Sequence, residues 1–277
     1  MKKISVTVCL MVSVSSSLWA GAWLREKNEV YSKVSFSKYS ADKVFAPKKN
    51  KKLNGPKYSE YSSSFYGEFG FTEKWTGITQ FSFKSATSKF AGISHSESGL
   101  TDLWFYMKRK LPSEKFTSSV QLGVKTPLGY SERKNPPLGQ GQVDLECRLL
   151  AGKSLYPWPV YLSSEVGYRK RNGDYSDEIP YVFETGFFPK KNLLLKVGLD
   201  GISNLTNDEA SNLNSNFNDF VFDKEFMKLN FTIALFQKSG WGYEIFYDTL
   251  LTGANTSVGQ TVGVGLSWQG KLWGPGQ

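Results

Sequence analysis

The sequence predicts an all-β chain: a transmembrane, antiparallel, up-and-down β-barrel of about twelve strands. Three observations lead there. The N-terminus carries an export signal, apolar residues recur with a period of two and not of 3.6, and short connections alternate with long ones.

Lys2 and Lys3 form a positive start, Ile4 to Val14 a short apolar core, and Ser15 to Ala22 a run of small residues. This pattern reads as a cleaved secretory signal over 1–22, with cutting after Ala20 as the alternative. An uncleaved anchor needs roughly 20 apolar residues, and Ser13, Ser15, Ser16 and Ser17 interrupt this stretch. The rest, 23–277, reads as a single barrel domain. Cys9 falls inside the signal, which leaves Cys147 alone and excludes an internal disulfide. Loss of Lys2 and Lys3 lowers the formal charge from +9 to +7. The excess is concentrated in Lys48, Lys49, Lys51, Lys52 and Lys57, a solvated loop or a contact with anionic lipopolysaccharide.

Apolar residues make up 40% of the chain, and mean hydropathy is -0.35. That is too polar for helical membrane spans yet compatible with strands of alternating face. Aromatic content of 15% and 26 glycines suit a barrel with interfacial rings and tight bends, although a soluble sandwich shares them. Alternation is clearest at Gln142 to Leu149, where Val143, Leu145, Cys147 and Leu149 oppose Gln142, Asp144, Glu146 and Arg148. The same rule predicts strands at 29–40, 58–71, 75–87, 99–111, 115–126, 142–154, 158–171, 178–189, 192–203, 225–236, 240–251 and 258–269. Tight links separate alternate pairs, as at Thr72-Glu73-Lys74 and Lys190-Lys191. Long or variable connections are expected at 41–57, 88–98, 127–141, 172–177, 204–224 and 252–257. This rhythm puts both termini on the short-turn side, which in an outer-membrane barrel is periplasmic. Thr261 to Trp268 resembles the closing strand read by the barrel-assembly machinery, although the tail to Gln277 runs further than such signals do.

From Gly21 onward the chain also resembles a family of outer-membrane transporters named for the meta-pathway of phenol degradation, and related barrels. Gly21-Ala22-Trp23, Tyr66-Gly67-Glu68-Phe69-Gly70, Ser98 to Leu103, Gly123 to Tyr130 and Pro136 to Asp144 carry the resemblance. It implies uptake of small, often aromatic compounds. Barrel corners alone also account for such glycine-rich pieces.

If the apolar faces meet lipid, the charged faces line the lumen. The candidate lining residues are Lys125, Asp144, Glu146, Arg148, Glu165, Arg169 and Glu184, within a wider set that includes Lys33, Glu68, Lys84, Asp102, Lys108, Lys196, Asp200, Lys228, Glu244 and Asp248. Glu146, Arg148, Glu165, Arg169 and Glu184 are expected to meet as cross-strand pairs. They form either a structural ladder or a polar constriction.

His95 is the single histidine and lies between Ser94 and Ser96, which invites comparison with acyl hydrolases. Neighbouring strand side chains point to opposite faces, however, and a nucleophile needs a base packed against it. One cysteine and one histidine cannot build a transition-metal cluster. Asp208, Glu209, Asp219 and Asp223 match no calcium-loop spacing, and no phosphate or nucleic-acid motif appears. No cofactor is implied. Two function classes remain: a channel or transporter for small solutes, or a closed barrel that is structural or that recognises a partner through loops 41–57 and 204–224.

Overall fold

The structure is a computed structural model and describes residues 21–46, 50–131, 134–173, 175–205 and 223–272. Among them run thirteen strands: β1 (Glu29–Phe45), β2 (Lys52–Thr72), β3 (Trp75–Phe90), β4 (Ile93–Leu100), β5 (Asp102–Leu111), β6 (Thr117–Pro127), β7 (Asp144–Ser154), β8 (Val160–Lys170), β9 (Glu178–Lys190), β10 (Leu193–Asn204), β11 (Glu225–Phe236), β12 (Trp241–Ala254) and β13 (Thr256–Lys271). β4 and β5 are two halves of one wall strand, because both pair with β3. The break falls at Thr101, whose N–H donates to Ser82 O at 2.8 Å. Opposite it the register slips by one residue between Gln80 with Trp104 and Phe83 with Leu100. The wall therefore has twelve strands.

All pairings are antiparallel, and β13 returns to β1 from Glu29 opposite Lys271 to Phe45 opposite Thr256. That last pairing closes the barrel, as a chain in hydrocarbon requires because no water is present to satisfy open N–H and C=O groups, and only β4, which pairs with β3 alone, keeps one edge without a strand partner. The faces follow the alternation. On β7, Leu145 and Leu149 are 59% and 57% exposed, whereas Asp144 and Glu146 between and before them are 0% and 4% exposed. A face that is apolar and exposed, backed by one that is charged and buried, inverts the soluble pattern. Exposed Trp75, Phe116, Tyr156, Trp158 and Trp241 lie around the short-turn end, where rings suit a membrane interface.

Three connections differ from expectation. Strand pairing continues through most of 41–57, 88–98 and 252–257, so these are hairpin tips on tall strands and not long loops. β3 and β4 meet across Ala91 and Gly92, with φ of 50° and 85°. Positive φ at both central residues matches the right-handed twist of the flanking strands, and glycine supplies the second at no steric cost. β12 and β13 turn at Asn255, with φ of 51°. β1 pairs with β2 as far as Phe45 opposite Lys52, across a bulge at Asp42. The remaining connections of that side stay long: 128–143, 171–177 and 205–224, most of the last lying outside the described residues, with Asp208, Glu209 and Asp219.

The sidedness is open to test. Leu149→Arg places a charge near mid-wall on the lipid face at a cost of about 2–4 kcal/mol, whereas Leu162→Arg, on the same outer face at the short-turn rim beside Lys153, costs about 0–1. We expect Leu149→Arg to lower the fraction that runs as the compact, heat-modifiable form on a gel and Leu162→Arg to leave it unchanged. Equal yields would mean that this face does not meet lipid.

Candidate functional site: the barrel lumen

The seven predicted lining residues all lie on the face opposite the exposed apolar side chains. Four of them join one alternating chain of charge, and three pair elsewhere. Arg148 Nη1 donates to Glu165 at 3.1 Å and its Nε to Glu146 at 2.5 Å. Glu146 also accepts from Arg169 Nε at 2.7 Å, and Arg169 Nη1 donates onward to Glu178 at 2.6 Å. Glu178 meets Arg171 at 2.9 Å, and Arg171 lies 3.5 Å from Asp223. A ladder that alternates sign thus climbs β7, β8 and β9 toward the long-loop end.

Register explains it. Glu146 stands opposite Arg169, and Arg169 opposite Glu178, so consecutive strands offer opposite charges at one level. Glu184 was expected in this ladder and is not part of it. It lies 3.2 Å from Lys196 and accepts from the Tyr161 hydroxyl at 2.9 Å, because β10 brings Lys196 nearer than β8 brings an arginine. Lys125 lies 2.5 Å from Asp144 and 4.0 Å from Asp102. Burial and a hydrogen bond to Asp102 push the Tyr130 phenol above its ordinary pKa in the loop overhead.

The remaining lumen cations are matched in the same way. Lys33 meets Glu244 at 3.0 Å, Lys84 meets Glu60 at 3.0 Å, and Lys228 sits between Asp200 at 3.5 Å and Asp248 at 3.7 Å. Opposite the arginine ladder, β2 and β3 present hydroxyls instead, with Ser64 and Ser82 2.8 Å apart. Trp104 and Tyr106 stack at 5.1 Å between ring centres, and Arg169 lies 4.8 Å over the Trp104 ring. At the long-loop mouth, burial pushes the Lys224 ammonium down to about 8; Glu178 opposes this, while Lys84, Arg169 and Arg171 add to it.

Gly21 to Lys27 bring a feature the alternation does not reveal. This segment precedes β1 and lies inside the lumen at the short-turn end. Arg25 N donates to Thr76 Oγ1 at 3.0 Å, its guanidinium bonds Glu68 and lies 4.7 Å over the Tyr31 ring. Further along, Lys108 Nζ donates to Gly21 O at 3.0 Å. Trp23 packs onto Gly152 and meets the Tyr161 ring edge-on at 5.7 Å. The segment is therefore held by β1, β2 and β3 at one end and by β7 and β8 at the other, so it spans the bore. Gly70 makes this possible, since a Cβ there would collide with the Glu26 carbonyl.

Sequence reasoning missed Arg25, Arg171, Glu178 and Asp223. Glu178 and Arg171 continue the parity of Glu184 and Arg169, so alternation carried a signal for both. Arg25 and Asp223 lie outside strands, where parity says nothing. His95 lies on exposed β4 opposite Ser88, while Ser96 Oγ is 2.9 Å from Thr87 Oγ1. Among the described residues no hydrogen bond joins His95 to either neighbouring serine.

No family model matches the chain, and no curated protein matches it; the resemblance to the phenol-pathway family therefore has no support from a family model. Solved structures do match. An outer membrane channel from Pseudomonas putida F1 superposes with a TM-score of 0.68 at 14% identity, over 90% of this chain and 97% of that one. The NanC porin gives 0.51 at 10% identity, over 86% and 98%. The KdgM porin gives 0.51 at 6% identity, over 85% and 98%. At such identities the likeness is one of fold, and the fold is that of a twelve-stranded outer-membrane β-barrel.

Proposed function

We propose that this chain is an outer-membrane channel or transporter for small solutes, narrowed at its periplasmic end by its own N-terminal segment. The observation that carries the reading is a polar, hydrogen-bonded lumen enclosed by a continuous wall whose outer face is apolar. This supports the reading, because a polar lumen behind an apolar wall is the arrangement by which porins carry solutes across a bilayer. Because the lumen cations have carboxylates beside them, the path discriminates more by size and hydrogen bonding than by net charge. Aromatic solutes belong to this proposal through the family resemblance and the Trp104 and Tyr106 stack.

A second reading has its own support. The paired ladder and the spanning N-terminal segment suit a closed barrel that stiffens the envelope or meets a partner through its loops. Planar-bilayer recording separates the two. We expect small conductance steps from the wild type and larger ones from a Trp23→Ala/Arg25→Ala double variant, with weak ion selectivity in both. Folded protein that conducts in neither form would sink the channel reading.

The ladder can be probed directly. Arg148→Met leaves Glu165 without its arginine, and removing one partner of a buried pair costs about 3–5 kcal/mol. The expected outcome is a lower unfolding midpoint together with a shift toward cation selectivity. A changed selectivity at an unchanged midpoint would show that the arginine serves the path and not the wall.

The N-terminal contacts also bear on processing. Cutting after Ala20 preserves the Gly21 carbonyl that Lys108 holds, whereas cutting after Ala22 removes it. Intact mass of the purified barrel is expected to place the mature start at Gly21, and a start at Trp23 would contradict this.

A further inference from the structure

The wall is not of even height. β1, β2 and β3 have 17, 21 and 16 residues, while β6, β7 and β8 have 11 each. The outward residues of this tall sector change character in steps as the strands rise. At one level Val264, Phe36, Ser63, Phe83 and Leu100 stand side by side, a mostly apolar row. Two residues higher the row is Val262, Lys38, Tyr61, Ser85 and Ser98, with Lys38 Nζ 5.4 Å over the Tyr61 ring. The next row is Gln260, Ser40, Ser59, Thr87 and Ser96, every one a hydroxyl or an amide. Above it Lys57 stands directly opposite Lys89, beside Ser94.

Two like charges placed opposite each other on one face repel and destabilise a sheet. In the lumen such cations have carboxylates within 4.0 Å, yet among the described residues none lies within that distance of Lys38, Lys57 or Lys89. Glu60 faces inward to Lys84, Glu97 pairs with Lys134, and Asp42 in the bulge makes no ion pair with the three. All three lysines are exposed. The patch is therefore a cationic surface with no carboxylate within 4.0 Å among the described residues. At about 3.3 Å per residue, Lys38 and the upper pair are separated by roughly 13 Å along the strands, with a hydroxyl row between.

We infer that this outward face is a docking surface for lipopolysaccharide of the outer leaflet. The apolar rows meet its acyl chains, Lys38 and the Lys57 and Lys89 pair take its phosphates, and the serine and threonine row takes its sugar hydroxyls. The inference rests on the outer-membrane placement and not on conductance. A barrel that proves closed to solutes leaves it intact, and a barrel that conducts does not establish it.

The test uses the full mature barrel in detergent, stripped of lipid, with unfolding followed by heat-modifiable gel shift and retained lipid followed by native mass spectrometry. Three additions are compared: lipopolysaccharide, the same molecule with its phosphates removed, and phosphatidylglycerol. We expect intact lipopolysaccharide to raise the wild-type midpoint and to remain bound, with the other two weaker by tenfold or more. Lys57→Gln/Lys89→Gln should lose at least tenfold in apparent affinity. Lys57→Arg/Lys89→Arg, and Lys153→Gln/Lys190→Gln at the other rim, should keep it. Equal stabilisation by phosphatidylglycerol, full binding by the glutamine pair, or no response by the wild type would each overturn the inference. So would self-association without added lipid that the glutamine pair abolishes, since the face would then belong to a second copy.

Discussion

Pairing of β13 with β1 is the constraint on which the rest depends. A sheet inside a bilayer cannot leave an edge open, because each unpaired peptide group in hydrocarbon costs several kcal/mol and has no water to turn to. Closure settles that cost, and in doing so it divides the chain into an inside and an outside. Strand side chains alternate, so every second residue then faces lipid and every other faces the bore. Leu145 and Glu146 differ by one position and by an entire solvent environment.

The bore must then hold many ionisable groups at close range, and its contents follow from electrostatics as much as from transport. A charge taken out of water is costly unless a partner of opposite sign lies within hydrogen-bond reach. The run from Glu165 through Arg148, Glu146, Arg169, Glu178 and Arg171 to Asp223 meets that demand by never placing like charges in sequence. Arginine suits these positions because its planar fork serves two carboxylates at once, as Arg169 does between Glu146 and Glu178. The same carboxylates that neutralise the wall also present oxygen acceptors to a passing solute, so structural and selective roles are not alternatives at the level of a single residue.

How much of this was legible depended on whether a residue sat in a strand. Period two located the twelve wall strands, falling short by five or six residues at the upper ends of β1, β2 and the β4–β5 strand, and sorted Lys125, Asp144, Glu146, Arg148, Glu165, Arg169 and Glu184 onto the inner face, because parity is fixed by the pleat and needs no tertiary information. Partner choice was less legible. Glu184 pairs with Lys196 and not with an arginine, since cross-strand registers are set by hairpin geometry at Lys191 and Asn192 that the alternation does not encode. Hairpin tips were misread as loops because serine, lysine and glycine are common both in loops and in strands that stand above a membrane. The spanning segment was invisible for a different reason. Arg25 and Trp23 lie on irregular backbone, and what holds them is distributed over Glu68, Thr76, Lys108 and Tyr161, far apart in the chain.

The uneven height of the wall brings these strands together. A barrel needs only enough strand to cross hydrocarbon, about 9–11 residues, and β6 to β8 stop near that length. β1 to β4 continue, and their extra rungs cost backbone entropy with no apolar burial on the outer side to offset it. On the inner face these rungs are tied by the Tyr39 and Tyr58 ring contact at 5.8 Å and the Lys84 and Glu60 ion pair at 3.0 Å, while on the outer face the Lys57 and Lys89 pair opposes that gain. The outer face of this sector fits the inferred contact with a sugar and phosphate layer outside the membrane. Part of the chain's positive charge follows the same division, since the bore pairs its cations and, among the described residues, Lys38, Lys57 and Lys89 on the upper outer face have no carboxylate within 4.0 Å.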